Sequence, residues 1–436
     1  MVWSARVKDV GLVRRPERLS LAEYPALEPV GLIKSLRPVP FWTAVHGYDG
    51  LLARLGAPDP TVLAVPYDFR RSIVCAAQLL DDRVRERLDV LWPDQDHTGK
   101  VIVVAHSMGG LAARYWLGPG GAAPLCRALI TLGTPHWGAP KALDVLVNGI
   151  AVKGRHVLTR LRDVLQEWPS MAELLPRYRA VLDTTAAGAG RLLYPHEVDL
   201  PESVDAAAAY RVHTQIEQAW ERLPRSATSV VARVGYGHGT QRSCTWDGRR
   251  VRVGAEAPKW PQLGRWDAEL GDGTVPAFSG VPVEDGEDPP DDLLVAYRHG
   301  PIADLEQVVE LVGRYEGRGS MRRLRGKQRP AVLGLDLGEV QVAGEAFEVS
   351  AAVHGTGGGG GGVPVWVSLT GVDAAGAGPV VETALEWDGS AGVFRGQLPA
   401  VSPGVYSVRV SAREVPGAGD LNTAETVEVF DDADLG

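Results

Sequence analysis

A serine stands at the end of an apolar run in residues 101–117, which read VIVVAHSMGGLAARYWL. A serine that attacks an ester must project from a tight strand-to-helix turn, where small neighbours let the strand and the helix approach closely. Ala105 and Gly109 supply small residues two positions before and two positions after Ser107. The stretch therefore predicts a nucleophilic serine. The alternative interpretation is a serine that only caps a helix.

A nucleophilic serine of this type needs an acid and then a histidine, in the chain order Ser, Asp or Glu, His. Among the ten histidines, only His299 and His354 follow a plausible late acid, and His354 belongs to the predicted sandwich. The acid is Asp272, which lies in the Gly-flanked turn LGDGTVP. We expect His299 to take the serine proton and Asp272 to hold the imidazole in the required tautomer. His106 and His136 are rival bases, although both precede the acid. An ordinary turn aspartate and a helix-capping histidine are the alternative interpretation.

Alternating strands and helices must position these groups. Between about residue 40 and residue 138, the apolar and helical patterns are TVLAVPYDF (61–69), a helical stretch (72–92), VIVVA (101–105), a second helical stretch (108–117) and ALITLGTP (128–135). This order predicts a mostly parallel sheet covered by helices on both faces. We expect one domain over 1–312, with a helical cap inserted at about 139–264, where DVLVNGIAVKG and DAAAAYRVHTQIEQAWERL are helical patterns.

A period of two replaces the helical patterns beyond residue 330. The segments AFEVSAAV and VYSVRVSA each place alternate apolar residues on one face, which is typical of antiparallel strands. We predict an immunoglobulin-like β-sandwich over 331–436 with a core of its own. The hexaglycine run at 357–362 is predicted to be a hairpin loop. Segment 313–330 is basic and Gly-rich, and it is either a solvated linker or a patch for peripheral contact with anionic membrane lipids.

The composition argues against several classes of protein. The chain has 45 basic and 54 acidic residues and a net charge of −9, which argues against nucleic acid as a partner. Its three cysteines are widely spaced and predict no disulfide framework. The first twenty residues lack the apolar core of a signal peptide, and no long apolar window follows. We therefore expect a cytoplasmic location, and we expect no cofactor.

Four motifs in order resemble the lipase/acyltransferase family typified by lecithin:cholesterol acyltransferase, within the α/β-hydrolase fold. They are VPYDFRRS, AHSMGGLAARY, TLGTPHWG and GDGTVP. The first is similar to the PYDWR segment of that family, with Phe in place of Trp. The resemblance, over about 40–312, implies that Ser107, Asp272 and His299 occupy the triad positions of the family. It also implies a lipid-like acyl ester as substrate, a cap and lid within 139–264, and no metal.

The oxyanion that forms during acyl transfer needs backbone donors. The amide of Met108, at the head of the helix after the serine, is the predicted first donor. The resemblance implies a second donor from a Pro-Gly loop after an apolar first strand, and no such segment precedes Val2. HGYDG, at 46–50, matches the H-G-x-x-G loop of other lipases, so the Gly47 amide is an alternative donor. The overlapping segment GYDGLLARL resembles instead the start of the first core helix of the family.

Two functions therefore compete. The first is a serine hydrolase or acyltransferase that cleaves or transfers the acyl group of a lipid-like ester through an acyl-enzyme intermediate. The second is a catalytically weak or inactive hydrolase-fold protein that binds a protein partner through its β-sandwich. The presence of all three triad residues favours the first function, and the missing first strand favours the second.

Overall fold

The computed structural model describes most of the chain, in segments separated by gaps. The described residues are 16–29, 31–32, 48–152, 155–157, 159–185, 190–224, 226–254, 270–285, 293–317, 331–338, 340–355, 362–372 and 381–431. Residues 357–361 of the hexaglycine run and most of the predicted linker, 318–330, lie outside them. Within the described ranges, no helix is both long enough and apolar enough to cross a membrane.

The α-helices of the described residues are α1 (Asp49–Arg54), α2 (Ile73–Leu91), α3 (Met108–Leu117), α4 (Pro140–Asn148), α5 (Thr159–Leu165), α6 (Pro169–Glu173), α7 (Ala206–Arg222) and α8 (Gln307–Tyr315). The strands up to residue 295 are β1 (Val101–His106), β2 (Cys126–Leu132), β3 (Ile150–Val152), β4 (Arg155–Val157), β5 (Val181–Asp183), β6 (Leu192–Leu193), β7 (Ser229–Gly235), β8 (Ser243–Trp246), β9 (Val251–Gly254) and β10 (Leu294–Val295). The later strands are β11 (Val332–Leu337), β12 (Val340–Val342), β13 (Phe347–His354), β14 (Val365–Gly371), β15 (Val381–Ala384), β16 (Glu386–Asp388), β17 (Val393–Leu398), β18 (Gly404–Val415) and β19 (Gly419–Phe430).

A parallel sheet in the order β1, β2, β7, β10 forms the centre of the α/β region. Helices α2 and α3 contribute Val84 and Trp116 to an apolar cluster that contains Leu129 of β2. Helices α1 and α8 contribute to a second cluster with Ile130, the next residue of that strand. Because successive side chains of a strand point to opposite faces, the two clusters cover the two faces of the sheet. This is the mixed α/β arrangement that the alternating pattern predicts.

One predicted strand is absent and one predicted helix is interrupted. Residues 61–69 run without strand pairing. Pro66 has no amide to donate to a ladder, and Asp68 begins a turn in which its Oδ1 accepts from the Arg70 amide. The helix predicted across 144–154 ends at Asn148, because Gly149 adopts a φ of 78° and leads into the β3–β4 hairpin.

The bounds predicted for the cap, 139–264, are too wide. The apolar run SVVARVG within them is β7, which pairs in parallel with β2 and therefore belongs to the central sheet. Helix α7 also packs on the α/β region, since Trp220 Nε1 donates to the carbonyl of Arg114 in α3 at 3.0 Å. The rest of the predicted cap is a layer of short elements, with α4 to α6 and a small sheet in the order β6, β5, β8, β9.

Two further sheets form the C-terminal region, in the orders β11, β13, β17, β16 and β12, β19, β18, β14, β15. All their strand pairs are antiparallel except the parallel pair of β12 and β19. Phe347, Val349 and Ala351 alternate inward, as the period of two predicts, and join side chains of the other sheet in one apolar cluster. These antiparallel strands are compatible with the predicted β-sandwich.

The C-terminal sheets and the α/β region also share buried surface. Val332 of β11 belongs to an apolar cluster with Tyr236 and Phe278. Phe430 of β19 belongs to the large cluster that includes side chains of α4, α5 and α6. The core predicted for residues 331–436 therefore exists, and further apolar contacts join that region to the rest of the chain. Helix α8 continues to Tyr315, so the linker boundary predicted at 313 falls inside this helix.

Candidate active site

Ser107 lies on a sharp turn between β1 and α3. Its φ of 53° and ψ of −130° form a backbone conformation that is strained for any residue except glycine. Its amide donates to the Leu132 carbonyl at 2.9 Å, and its side chain makes no capping hydrogen bond to α3. The interpretation of Ser107 as a helix-capping residue is therefore wrong.

His299 lies between Ser107 and Asp272. The distance from His299 Nε2 to Ser107 Oγ is 2.8 Å, and the distance from His299 Nδ1 to Asp272 Oδ2 is 2.7 Å. All three residues are buried. The neutral tautomer that fits both contacts donates from Nδ1 to the carboxylate and accepts the serine proton at Nε2. The structure thus brings the three predicted residues together in an order that permits base activation of the serine.

The carboxyl group of Asp272 is fixed by its own turn. Its Oδ1 accepts from the amides of Thr274 and Val275, at 2.9 and 2.6 Å. Since these two bonds hold one oxygen, the other oxygen, Oδ2, faces His299. The amide of His299 also donates to the backbone carbonyl of Asp272 at 2.9 Å. The loops of the candidate acid and base are therefore linked through both backbone and side chains.

His106, one of the two rival bases, hydrogen-bonds to the backbone of His299 and to Tyr48. Its Nε2 donates to the His299 carbonyl at 2.7 Å, and its Nδ1 accepts from the Tyr48 hydroxyl at 2.8 Å. Burial, followed by the neighbouring His299, lowers the pKa of His106 to about 3. A neutral His106 with both nitrogens occupied supports the backbone of His299. His136, the other rival, is buried without a hydrogen bond to its ring within the described residues.

Two glycines leave room for the acid and the base. Gly133 follows β2 with a φ of 56°, and a Cβ there would lie 3.0 Å from Asp272 Oδ2 and 3.1 Å from His299 Nδ1. At Gly235, the last residue of β7, a Cβ would lie 2.5 Å from the Cβ of Asp272. Neither role was predicted from the sequence. A glycine at the end of an apolar strand was the available signal, because it often marks a close approach.

A third glycine brings α3 close to the loop after β2. A Cβ at Gly110 would lie 2.0 Å from Thr134 Oγ1, and this hydroxyl donates to the Ser107 carbonyl at 3.0 Å. A Cβ at Gly109 would meet only Tyr67 Oη, at 3.7 Å. The close approach that the sequence attributed to Gly109 therefore depends on Gly110.

We expect Gly133→Ala to lower kcat about 100-fold, because a displacement of the reacting groups by about 1 Å has an effect of that size. The added methyl would press on Asp272 and His299. The measurement is kcat for a short-chain ester, with the melting temperature recorded in parallel. Gly121→Ala is the matched control, since Gly121 also has a positive φ, 72°, and its Cβ would meet nothing within 4 Å. Equal losses of kcat in both variants would show that backbone strain alone is responsible.

Met108 is the first residue of α3. The first amides of a helix have no acceptor within the helix, and the helix dipole makes this end favourable for an anion. The Met108 amide, whose nitrogen is bonded directly to the Ser107 carbonyl carbon, therefore remains the predicted first oxyanion donor. Gly47, the alternative second donor, lies outside the described residues.

A cavity of about 960 Å³ opens beside the candidate nucleophile. Its lining includes Ser107 and Met108 together with Tyr67, Val103 and many other apolar residues of β1, α1, α2 and the 61–67 segment. The volume lies in the range of pockets that hold small molecules, about 300 to 1,000 Å³. Among the described residues, no group of three or more His, Cys, Asp or Glu side chains is placed to hold a metal ion.

Residues 51–225 match the family model for lecithin:cholesterol acyltransferase, which confirms the resemblance inferred from the motifs. Among solved structures, Bacillus licheniformis lipase BlEst2 in its propeptide form is similar at 12% identity, with 82% of this chain and 84% of that chain covered and a TM-score of 0.32. The soluble domain of PmoD from Methylocystis sp. ATCC 49242 (Rockwell) is similar at 10% identity over 24% of this chain and 95% of that chain, with a TM-score of 0.17. No curated protein matches the chain.

Proposed function

We propose that this chain, whose residues 51–225 match the family model for lecithin:cholesterol acyltransferase, is a serine hydrolase or acyltransferase of lipid-like esters. The observation that carries the proposal is the 2.8 Å contact of Ser107 Oγ with His299 Nε2, with Asp272 bonded to the opposite ring nitrogen. In the proposed architecture, an α/β-hydrolase domain holds this triad and residues 331–436 form a β-sandwich.

In the first half of the proposed reaction, Ser107 Oγ attacks the ester carbonyl while His299 Nε2 takes its proton. The resulting imidazolium is stabilised by Asp272, and the oxyanion accepts a hydrogen bond from the Met108 amide. The tetrahedral intermediate then collapses. The bond to the alcohol breaks, His299 returns the proton to the leaving alcohol, and the acyl group stays on Ser107.

In the second half, water or an acceptor alcohol attacks the acyl-enzyme. His299 takes the proton of the attacking group, and the same amide donor stabilises the second oxyanion. Collapse of the intermediate breaks the bond to Ser107 and restores its hydroxyl. Water gives hydrolysis, and an alcohol gives acyl transfer.

The cavity beside Ser107 supports a lipid-like acyl group as the substrate. Apolar side chains such as Leu63, Val65 and Val103 line this cavity, which also reaches the candidate nucleophile. Transfer of each CH₂ group of an acyl chain from water into apolar surroundings contributes about 0.8 kcal/mol. An acyl chain longer than a few carbons would therefore bind here better than an acetyl group.

A fluorophosphonate probe and a series of p-nitrophenyl esters test the proposal on the full chain. We expect the probe to label Ser107 and no other serine, as read by mass spectrometry of the digested protein. We also expect kcat/KM to rise between the acetyl ester and esters with longer acyl chains, because the cavity buries the chain. Addition of an acceptor alcohol, with analysis of the products, distinguishes transfer from hydrolysis.

The competing function gives the opposite result in the same assay. A catalytically inactive hydrolase-fold protein would neither react with the probe nor turn over any ester. Folded protein with both properties missing would therefore exclude the enzymatic proposal and favour the binding function.

A further inference from the structure

Arg298, the residue directly before His299, is buried and paired with the C-terminal sheets. Its Nε donates to Glu425 Oε2 in β19, and its Nη1 donates to the Leu335 carbonyl in β11. The side chains of Arg298 and Glu425 are only 6% and 2% exposed. A buried charge is unfavourable unless it is paired and hydrogen-bonded. The pair therefore joins the candidate base loop to both C-terminal sheets.

The guanidinium group of Arg298 also lies against the turn of the candidate acid. A Cβ at Gly273, whose φ is 93°, would lie 3.0 Å from Arg298 Nη2. Gly273 directly follows Asp272, and Arg298 directly precedes His299. One side chain thus contacts the acid loop and is anchored in the base loop.

A second connection reaches the acid loop through His238. Its Nδ1 accepts from the Leu335 amide at 3.1 Å. Its backbone exchanges two hydrogen bonds with Gly271, at 3.0 and 3.2 Å. Burial, followed by the charge of Arg298, lowers the pKa of His238 well below its usual range. His238 is therefore neutral and able to accept from the strand.

Glu425 occupies a position where the strand pattern calls for an apolar side chain. Thr423, Glu425, Val427 and Val429 are buried alternate residues on one face of β19, and Thr426 and Phe430 of the other face are buried as well. Both carboxylate oxygens of Glu425 have partners, since Oε1 accepts from the Thr426 amide at 3.0 Å. Apolar residues in place of a buried ion pair are often as stabilising or more so. The charge of Glu425 therefore adds little to the stability of the C-terminal sheets, which indicates that it serves the residue it binds, Arg298.

We propose that the C-terminal sheets help to hold the catalytic residues of the active site in position. Glu425 and the Leu335 carbonyl are positioning groups that hold Arg298, and through it the loops of Asp272 and His299. The inference rests on the proposed function, because positioning matters only if these two residues act in catalysis. It goes beyond that function by giving the C-terminal region a role in turnover.

Glu425→Gln keeps the shape of the side chain and removes its charge. We expect kcat to fall about 10- to 100-fold and KM to change by less than about threefold, because misplaced groups affect the chemical step more than substrate binding. The rate at which a fluorophosphonate labels Ser107 should fall by a similar factor. An unchanged kcat in folded Glu425→Gln protein would overturn the inference.

Leu398→Ala is the matched control for loss of stability. Leu398 is fully buried in the cluster between the C-terminal sheets, and it does not contact Arg298 in any described hydrogen bond or ion pair. Truncation of Leu398 should lower the melting temperature, because it leaves a cavity in the apolar cluster. The kcat of the folded protein should stay within about twofold, as expected for distant, independent sites. If Leu398→Ala lost as much kcat as Glu425→Gln, the ion pair would act only by stabilising the fold, and the inference would be overturned.

The double variant Arg298→Met/Glu425→Leu separates positioning from stability in another way. It removes both charges, so it should recover the folding that a single unpaired charge loses. We expect kcat to stay low, because no guanidinium remains against Gly273. Recovery of kcat together with stability would contradict the inference.

Unmodified protein is tested first, so that the two proposals can fail separately. If it neither labels nor hydrolyses esters, the proposed function is wrong. Amide hydrogen exchange then tests the coupling alone: Glu425→Gln should speed exchange at 271–275 and 299–303, whereas Leu398→Ala should not. Unchanged exchange at these loops in Glu425→Gln would overturn the coupling whatever the activity.

Discussion

Ser107→Ala should abolish ester hydrolysis and leave the chain folded. Loss of the nucleophile in a serine-based triad lowers kcat by up to about 10⁶-fold, because no covalent intermediate can form. The change removes only Oγ, whose partner is His299 Nε2. Alanine retains the Cβ and the same backbone strain, so we expect little change in the melting temperature. The measurements are kcat for a short-chain ester and labelling by a fluorophosphonate, and both should fall to background.

Ser279→Ala is the matched control for this variant. Ser279 is also buried, and its hydroxyl donates to the Gly138 carbonyl and not to a candidate catalytic group. Its loss should lower stability and leave kcat of the folded protein close to that of the unmodified chain. Normal turnover of a short-chain ester by Ser107→Ala would exclude Ser107 as the nucleophile.

The elements around Ser107 could be predicted because the signals are local. The apolar run that becomes β1 and the amphipathic pattern of α3 bracket a serine between small residues, and chain order then selects Asp272 and His299. The resemblance to a known family rests on the same local motifs. The apolar run, the helical pattern and each motif span fewer than about twenty residues, a range in which hydrophobic periodicity is informative.

The supports of the site are contacts between distant segments, and sequence periodicity does not encode them. The need for Gly133 arises from Asp272 and His299, which lie more than a hundred residues further along the chain. Arg298 meets Glu425 across 127 positions. Glu425 left a trace in the sequence, since a carboxylate stands among the apolar residues of a strand, and so did Gly133, a glycine at the end of an apolar strand.

The errors in the fold have the same origin. The run at 61–69 and the run in β7 are both apolar, and apolarity alone does not tell whether a partner strand lies beside them. The first run does not pair, because Pro66 has no amide to donate and Asp68 begins a turn. The second run forms a strand because β2 and β10 lie on either side of it in the sheet. The predicted cap took in β7 because the surrounding segment is irregular.

Asp272→Asn should lower kcat by about 10⁴-fold, as expected when the triad histidine is held in the wrong tautomer. The turn of Asp272 makes this outcome specific. Its Oδ1 accepts from the amides of Thr274 and Val275, so an asparagine will keep its oxygen there and direct its NH₂ group at His299. An NH₂ donor favours an acceptor at Nδ1, which moves the ring proton to Nε2. His299 then cannot take the proton of Ser107.

Asp183→Asn is the control, because it makes the same change in a comparable turn away from the site. Asp183 is buried, and its Oδ1 accepts from the amide and the hydroxyl of Thr185. The kcat of the Asp183→Asn variant should be close to that of the unmodified chain.

The comparison with Asp272→Ala is equally informative, since alanine removes the carboxylate without imposing a tautomer. If the tautomer is the cause, Asp272→Ala should retain more activity than Asp272→Asn. A loss below about tenfold in Asp272→Asn is far smaller than a triad acid produces, and it would assign the acid to another residue.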